Sequence, residues 1–190
     1  QIVYWVTQIC EKAHDCKEYA IDTFPIPVCE NIRAQRSKIA KGKEFRGYIP
    51  SKKAYFHGIK LHVVVRLDGF VVEFDVTYGS MNDVKGLYIL PLQEEGVVYA
   101  DRAYNDYFAE DMLAEEGIRL LPVRKENSGR YNGCLQYLSI VKRRVVETVG
   151  SVINSLFPKR IHAVTLEGFI SKVYLFVLAY NIDRLLKVAT

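Results

Sequence analysis

The chain has 190 residues, 49% of them hydrophobic and 25% charged, and carries a formal net charge of +4. This is enough apolar material for one enzyme-sized core, and it excludes a disordered, collagen-like or strongly acidic protein. The four cysteines, Cys10, Cys16, Cys29 and Cys134, form no CxxC pair and follow no signal peptide, so they read as reduced thiols of a cytoplasmic protein. Cys10, His14 and Cys16 match no common zinc-finger spacing. Gln1 in place of a methionine reads as the start of a fragment.

In chain order, Ile2, Val3, Val6, Ile9 and Cys10 fall at helical spacing and predict an entering helix over residues 1–16. A first strand is predicted from Lys17 to Asp22, stopped by Pro25 and Pro27. Residues 23–58 read as a basic excursion. From Asn31 to Lys60 nine basic residues (Arg33, Arg36, Lys38, Lys41, Lys43, Arg46, Lys52, Lys53 and Lys60) stand against the single acid Glu44, interleaved with Tyr48, Tyr55 and Phe56. Such a stretch suits a DNA track, with phosphate neutralisation by the cations and base stacking by the rings; its competitor is a solvated surface loop.

Alternation over Ile59–Leu67 and Phe70–Val76 about Asp68-Gly69 predicts a β-hairpin. A short helix over Val84–Leu90, capped by Asn82 or Asp83, leads to a buried strand, Val97 to Ala100, that ends on Asp101. A helix from about Tyr104 to Glu116 stops at Gly117, and a strand over Ile118–Val123 precedes a polar loop, Arg124 to Gly133, whose Arg124, Lys125 and Arg130 extend the basic track. The rest, residues 134–190, is predicted helical. One helix spans Leu135 to Phe157 with Leu138, Val141, Val145, Val149, Val152 and Leu156 on its buried face. A second spans Leu166 to Leu186, whose apolar run Val173–Tyr180 is too short to cross a bilayer.

The order β, β-hairpin, α, β, α, β predicts a single α/β domain over residues 1–190, with an antiparallel hairpin and parallel strands in one mixed sheet flanked by helices. Five stretches then resemble a known family: Ala20-Ile-Asp22-Thr-Phe-Pro, His57-Gly-Ile-Lys-Leu-His62, Tyr78-Gly-Ser-Met-Asn-Asp83, Tyr99-Ala-Asp101-Arg-Ala-Tyr104, and Arg143-Arg-Val-Val-Glu147. In this order, over about residues 17–185, they resemble the ribonuclease-H-like catalytic domain of bacterial insertion-sequence transposases, the DDE superfamily. The family's helix motif Tyr-x2-Arg-x3-Glu-x6-Lys places its arginine on Arg143 and its glutamate on Glu147, while Ile140 and Asn154 stand at its tyrosine and lysine positions; Lys142 or Lys159 is a candidate substitute.

The resemblance implies metal-dependent cleavage of transposon ends and transfer of the 3′-hydroxyl into target DNA. Asp22, Asp101 and Glu147 are the implied catalytic and metal-holding residues, with Asp22 bridging two Mg2+ or Mn2+ ions. Double-stranded DNA is the implied partner, with Arg102 and Arg143 joining the basic segment as contacts. A homo-oligomer pairing two ends, a nucleoid-associated place in the cytoplasm and a separate N-terminal DNA-binding module absent from this chain are implied as well. The alternatives are a decayed or domesticated DNA-binding derivative that no longer cuts, and a ribonuclease-H-like nuclease. Each residue also has a plainer reading: Asp22 as a turn acid, Asp101 as a helix N-cap, Glu147 as the i,i+4 partner of Arg143, His62 as a sheet-surface histidine, Asp75 as a solvated strand position and Asp83 as a helix cap.

Overall fold

β1 (Glu18–Cys29) is twice the length its sequence suggests and is the spine of the sheet. The computed structural model describes residues 16–92, 94–158 and 160–189. Lys159 and nearly all of the expected entering helix, with Cys10 and His14, lie outside them. Pro25 and Pro27 do not end β1. Lys17 accepts from Val97 on one edge and Glu18 from Leu67 on the other, so odd-numbered residues turn their backbone polar groups toward the parallel neighbour. That neighbour, β5 (Val97–Ala100), pairs only with Glu18–Ala20, so the prolines' missing N–H groups face an edge that has already lost its partner.

On its other edge β1 pairs antiparallel with β3 (Ala54–Arg66) from Tyr19 to Cys29. β3 starts five residues before its alternating pattern does, because the excursion itself contributes a strand, β2 (Arg46–Ile49), that pairs with Ala54–His57. β4 (Val71–Tyr78) pairs with Ile59–Val65 of β3 and closes the predicted hairpin, Gly69 taking the positive φ of 92° that the turn requires. β6 (Arg119–Pro122) runs parallel to β5. The six strands form one mixed sheet in the order β2-β3-β1-β5-β6, with β4 also on β3.

Helices cover both faces, as a ribonuclease-H-like sheet requires. α1 (Lys85–Ile89) and α2 (Tyr107–Glu115) bury Leu87, Ala109 and Leu113 against Tyr19, Ile21 and Val98. A 3-10 turn, Arg102–Tyr104, precedes α2, so the helix starts later than predicted and Asp106 caps it, accepting from the N–H groups of Phe108 and Ala109. Asp106→Ala leaves those donors unpaired and lowers stability by about 1 kcal/mol, read from urea unfolding with an unchanged m-value.

The single helix expected over 135–157 is two, α3 (Gly133–Lys142) and α4 (Arg144–Leu156), divided at Arg143. The buried stripe of α4 is Val146, Val149, Gly150 and Ile153, rotated from the predicted one; Leu138, Val141, Val152 and Leu156 are exposed. The buried residues keep helical register across the division, Gln136 and Ser139 of α3 leading to Val146, Gly150 and Ile153 of α4. α3 spends Gln136 and Ser139 on the backbone at the end of β6, through Pro122 and Leu121 carbonyls and the Arg124 N–H. α4 packs with α5 (Leu166–Ala189) on the face of Ala20, Phe24 and Ile26. Among the described residues, no helix is long and apolar enough to cross a membrane.

Candidate active site

The ladder between β1 and β5 aligns Ala20 with Tyr99, both in the same core layer. Side chains alternate, so Asp22 and Asp101, two residues on, share that face just beyond the end of β5. This is the rim where open α/β sheets present their ligands. α4 reaches the same place from above. A Cβ at Gly150 would collide with the Phe24 ring, so only glycine lets the helix axis approach β1 this closely. Glu147, one turn earlier on α4, is thereby set over Asp22.

Arg143 joins the three acids. Its Nη2 lies 3.4 Å from Asp22 Oδ2, and its Nη1 lies 3.0 Å from Glu147 Oε1 and 3.8 Å from Asp101 Oδ1. Arg143 lies four residues after Ser139 and three before Val146, both buried, so the side chain faces inward, where it is 16% exposed. Its Nε is buried without a hydrogen-bond partner. The sequence had Arg143 as a DNA contact and as a plain i,i+4 partner of Glu147; it meets all three acids at once.

Backbone donors steady two of the carboxylates. Asp22 Oδ1 accepts from the Thr23 N–H at 2.8 Å, and Asp101 Oδ1 from the Arg102 N–H at 2.6 Å. Asp101 therefore does cap the 3-10 turn that follows it, while its side chain still faces Arg143. Burial, with smaller contributions from Asp101 and Glu147, pushes the Asp22 carboxyl up to about 6 against the pull of the Thr23 N–H and Arg143. Among the described residues, no three Asp, Glu, His or Cys side chains are drawn together tightly enough to hold an ion as they stand. What fits a hard divalent cation is the donor chemistry, carboxylate oxygens gathered around one positive charge.

The other predicted site residues divide sharply. Arg33, Arg36, Lys38, Lys41, Lys43, Arg46, Lys52, Lys53 and Arg102 are exposed. Arg46 lies over the Tyr55 ring at 4.4 Å, and the Tyr48 and Tyr55 rings meet tilted at 56° with centroids 5.0 Å apart, both open to solvent. Phe56, by contrast, is buried. Lys60 is 13% exposed and committed to Asp83 Oδ1 at 2.8 Å and to the Met81 carbonyl, so it braces β3 and Asp83 serves as its partner more than as a cap. Arg124 does not extend the track either: it is buried against Glu110, and Arg130 is held by Glu110 and Asp111. Lys142 pairs with Glu18 at 3.2 Å, Ile140 and Asn154 are exposed, and Asp75 accepts from the Tyr174 hydroxyl.

His62 is fully buried, which corrects its reading as a sheet-surface residue. Its Nδ1 lies 2.9 Å from Thr23 Oγ1 and its Nε2 2.8 Å from Thr77 Oγ1, and burial pushes it down to about 4, so it is neutral at physiological pH. Thr23 Oγ1 also lies 2.7 Å from the Tyr104 hydroxyl. Sequence reasoning missed this set. The signal was present in the unbroken Val63-Val64-Val65, which marks β3 as covered on both faces and leaves no solvent face for His62.

Comparison with curated proteins and with solved structures gives no significant match. A family model does match, the one described as the transposase DDE domain, over residues 12–161. That span contains every strand of the sheet, all three acids and Arg143. With the mixed sheet flanked by helices and the acids on β1, after β5 and on α4, this chain belongs to the transposase DDE domain family.

Proposed function

We propose that this chain cuts DNA at the ends of a mobile element and joins the freed 3′-hydroxyl to target DNA, with Asp22, Asp101 and Glu147 as its catalytic and metal-holding residues. The observation that supports this reading is the convergence of three carboxylates from three separate elements on one guanidinium. Two Mg2+ or Mn2+ ions, when bound, supply charge stabilisation for the attacking and leaving oxygens of an in-line displacement at phosphorus. The donor set suits them, since such ions take oxygen ligands and keep positions for water and substrate phosphate.

The chain's own residues do the rest. Thr23 and Arg102 N–H groups hold one oxygen of Asp22 and one of Asp101 in fixed directions. Arg143 balances the acids in the ligand-free protein; once they are neutralised otherwise, its planar fork is suited to a phosphate of the cut strand. The exposed cations from Arg33 to Lys53 form the surface over which duplex DNA lies, and the Arg46-Tyr55-Tyr48 cluster is the place for an unpaired base. A homo-oligomer holds two ends together. Removing one phosphate-contacting cation, as in Lys41→Ala or Lys43→Ala, lowers the slope of log affinity against log salt by about 1, measured by fluorescence anisotropy from low to moderate salt. Lys60→Ala leaves the slope unchanged.

The test is nicking of a labelled duplex carrying the element's ends by the full chain in Mg2+ or Mn2+, with a chelated control. Metal-dependent nicks are expected. Binding without cutting in both metals establishes the non-cutting DNA-binding derivative instead, and selective loss of the RNA strand of a hybrid establishes a ribonuclease.

A further inference from the structure

The backbone ladder between β1 and β5 ends at Ala20 and Tyr99, two residues short of Asp22 and Asp101. Strand pairing therefore does not set the spacing of the two acids. A chain of side-chain hydrogen bonds on the opposite face of β1 reaches both. Thr23 follows Asp22 and, by alternation, points away from it into the layer under α1 and α2. Its Oγ1 lies 2.7 Å from the Tyr104 hydroxyl and 2.9 Å from His62 Nδ1, and His62 Nε2 lies 2.8 Å from Thr77 Oγ1.

The Tyr104–Thr23 link of this chain is tied to an acid on each side. The Thr23 N–H donates to Asp22 Oδ1, so the peptide that presents Thr23 also orients Asp22. The Tyr104 N–H donates to the Asp101 carbonyl at 3.0 Å, closing a single turn between the acid and the tyrosine. Tyr104 is 1% exposed and His62 0%, so neither hydroxyl nor ring exchanges its partner for water. The imidazole has no room to shift: a Cβ at Gly86 of α1 would stand 2.8 Å from His62 Nδ1. A neutral imidazole offers one donor and one acceptor, and here both nitrogens are engaged, one by β1 and one by β4.

We infer that Tyr104, Thr23 and His62 are positioning residues that orient Asp22 and Asp101 relative to one another for a shared cation. This inference rests on the proposed site, and it gives a physical role to residues of three of the stretches that carry the family resemblance: Thr23 beside its acid, His62 on β3 and Tyr104 three residues beyond Asp101. None of the three touches substrate; each acts through the backbone that carries an acid. Of the links, Tyr104–Thr23 is the one that joins the two acid-bearing segments directly, while His62 fixes the Thr23 rotamer from below.

The experiment is Mn2+ binding by titration calorimetry on the full chain without DNA, with the urea unfolding midpoint in chelator recorded for every protein. Wild type, Asp101→Asn, Tyr104→Phe, Thr23→Val, Thr23→Ser and the Tyr104→Phe/Thr23→Val double variant are compared. Tyr104→Phe and Thr23→Val each weaken Mn2+ binding by about tenfold, the size of effect that outer hydrogen-bond partners of metal ligands have. The double variant is no weaker than the worse single, because both remove the same link. Thr23→Ser keeps the hydroxyl and stays within about twofold of wild type, a rescue that a packing role does not give. If Asp101→Asn loses Mn2+ while Tyr104→Phe and Thr23→Val bind it as wild type does, the positioning role is overturned and the site stands. Equal weakening by Thr23→Ser and Thr23→Val overturns it too, as does loss of affinity that only tracks the unfolding midpoint. If Asp101→Asn binds Mn2+ like wild type, or wild type takes up none, the metal site itself falls and the inference with it.

Discussion

Asp22→Asn, Asp101→Asn and Glu147→Gln each reduce strand cleavage by at least about 10³-fold, a loss of about 4 kcal/mol of transition-state stabilisation, and leave DNA affinity within about threefold. Each change keeps the shape of the side chain and one acceptor oxygen while removing the charge, so it separates a catalytic role from the plainer ones. Asparagine caps a turn as well as aspartate does, so if Asp101 served only the Arg102 N–H, Asp101→Asn would be silent. If Glu147 served only as the i,i+4 partner of Arg143, its amide would cost a few tenths of a kcal/mol in stability and nothing in rate. Asp22 as a turn acid predicts the same silence. Single-turnover cleavage in Mg2+ and Mn2+, beside anisotropy for binding, decides each residue separately. Any variant that keeps a tenth or more of wild-type cleavage removes that residue from the catalytic set.

The second large effect has the opposite sign. In the absence of divalent metal, Asp22→Asn makes the protein more stable above pH 6, by up to about 3 kcal/mol, the energy that separates about 6 in the fold from the ordinary value of 3.8. A carboxyl raised in the folded state binds its proton more tightly there than in the unfolded chain. Its contribution is therefore fully present below pH 3.8, falls as pH rises between 3.8 and about 6, and is gone above. Burial is the main cause, so the cost is borne by the ionised form in its dry position. Arg143 loses one partner in the variant but keeps Glu147 and Asp101, which trims the gain. Urea unfolding in chelator at pH 5 and pH 7.5 checks it: the advantage of Asp22→Asn over wild type is larger at pH 7.5. Added Mn2+ stabilises wild type and closes the gap. An advantage that is absent, or equal at both pH values, shows that burial of Asp22 carries no such cost.

These two expectations describe one trade. The fold places Asp22 where its charge is costly and keeps Arg143 among the three acids as the balancing charge. That cost is the one expected where a carboxylate is kept for the proposed site and not for stability. Arg143, at the one-residue interruption between α3 and α4, lies on the face that carries Ser139 and Val146, and so turns toward the acids while α3 holds the end of β6.

The local elements were legible where one physical signal dominated. β5 matched Val97–Ala100 because four apolar residues between Gly96 and an acid admit little else, and the β3–β4 hairpin followed from alternation around Asp68-Gly69. β1 was cut short because proline is penalised in a strand only when its N–H is needed, and whether β5 still runs alongside cannot be read from β1 itself. β2 was invisible because four residues, Arg46–Ile49, carry too little pattern to outweigh the charges around them. The buried stripe of α4 differs from the predicted one because apolar spacing passes over Gln136 and Ser139, polar residues whose bonds to the end of β6 fix which face of the two helices turns inward.

By itself, the sequence determined the α/β character and, apart from β2 and the division at Arg143, the order of elements, and it singled out Asp22, Asp101 and Glu147 as candidates, because each acid closes or interrupts a strong local pattern and five short stretches fall in a recognisable order. Tertiary structure alone decided which charges meet. Arg143 is drawn to all three acids, Lys60 and Arg124 are withdrawn into internal ion pairs, and His62 is buried with Thr23 and Tyr104. The reason is that burial and pairing of a charge depend on what packs above it, and that is set by contacts between separate segments, 23 residues apart for Lys60 and Asp83 and 121 for Asp22 and Arg143.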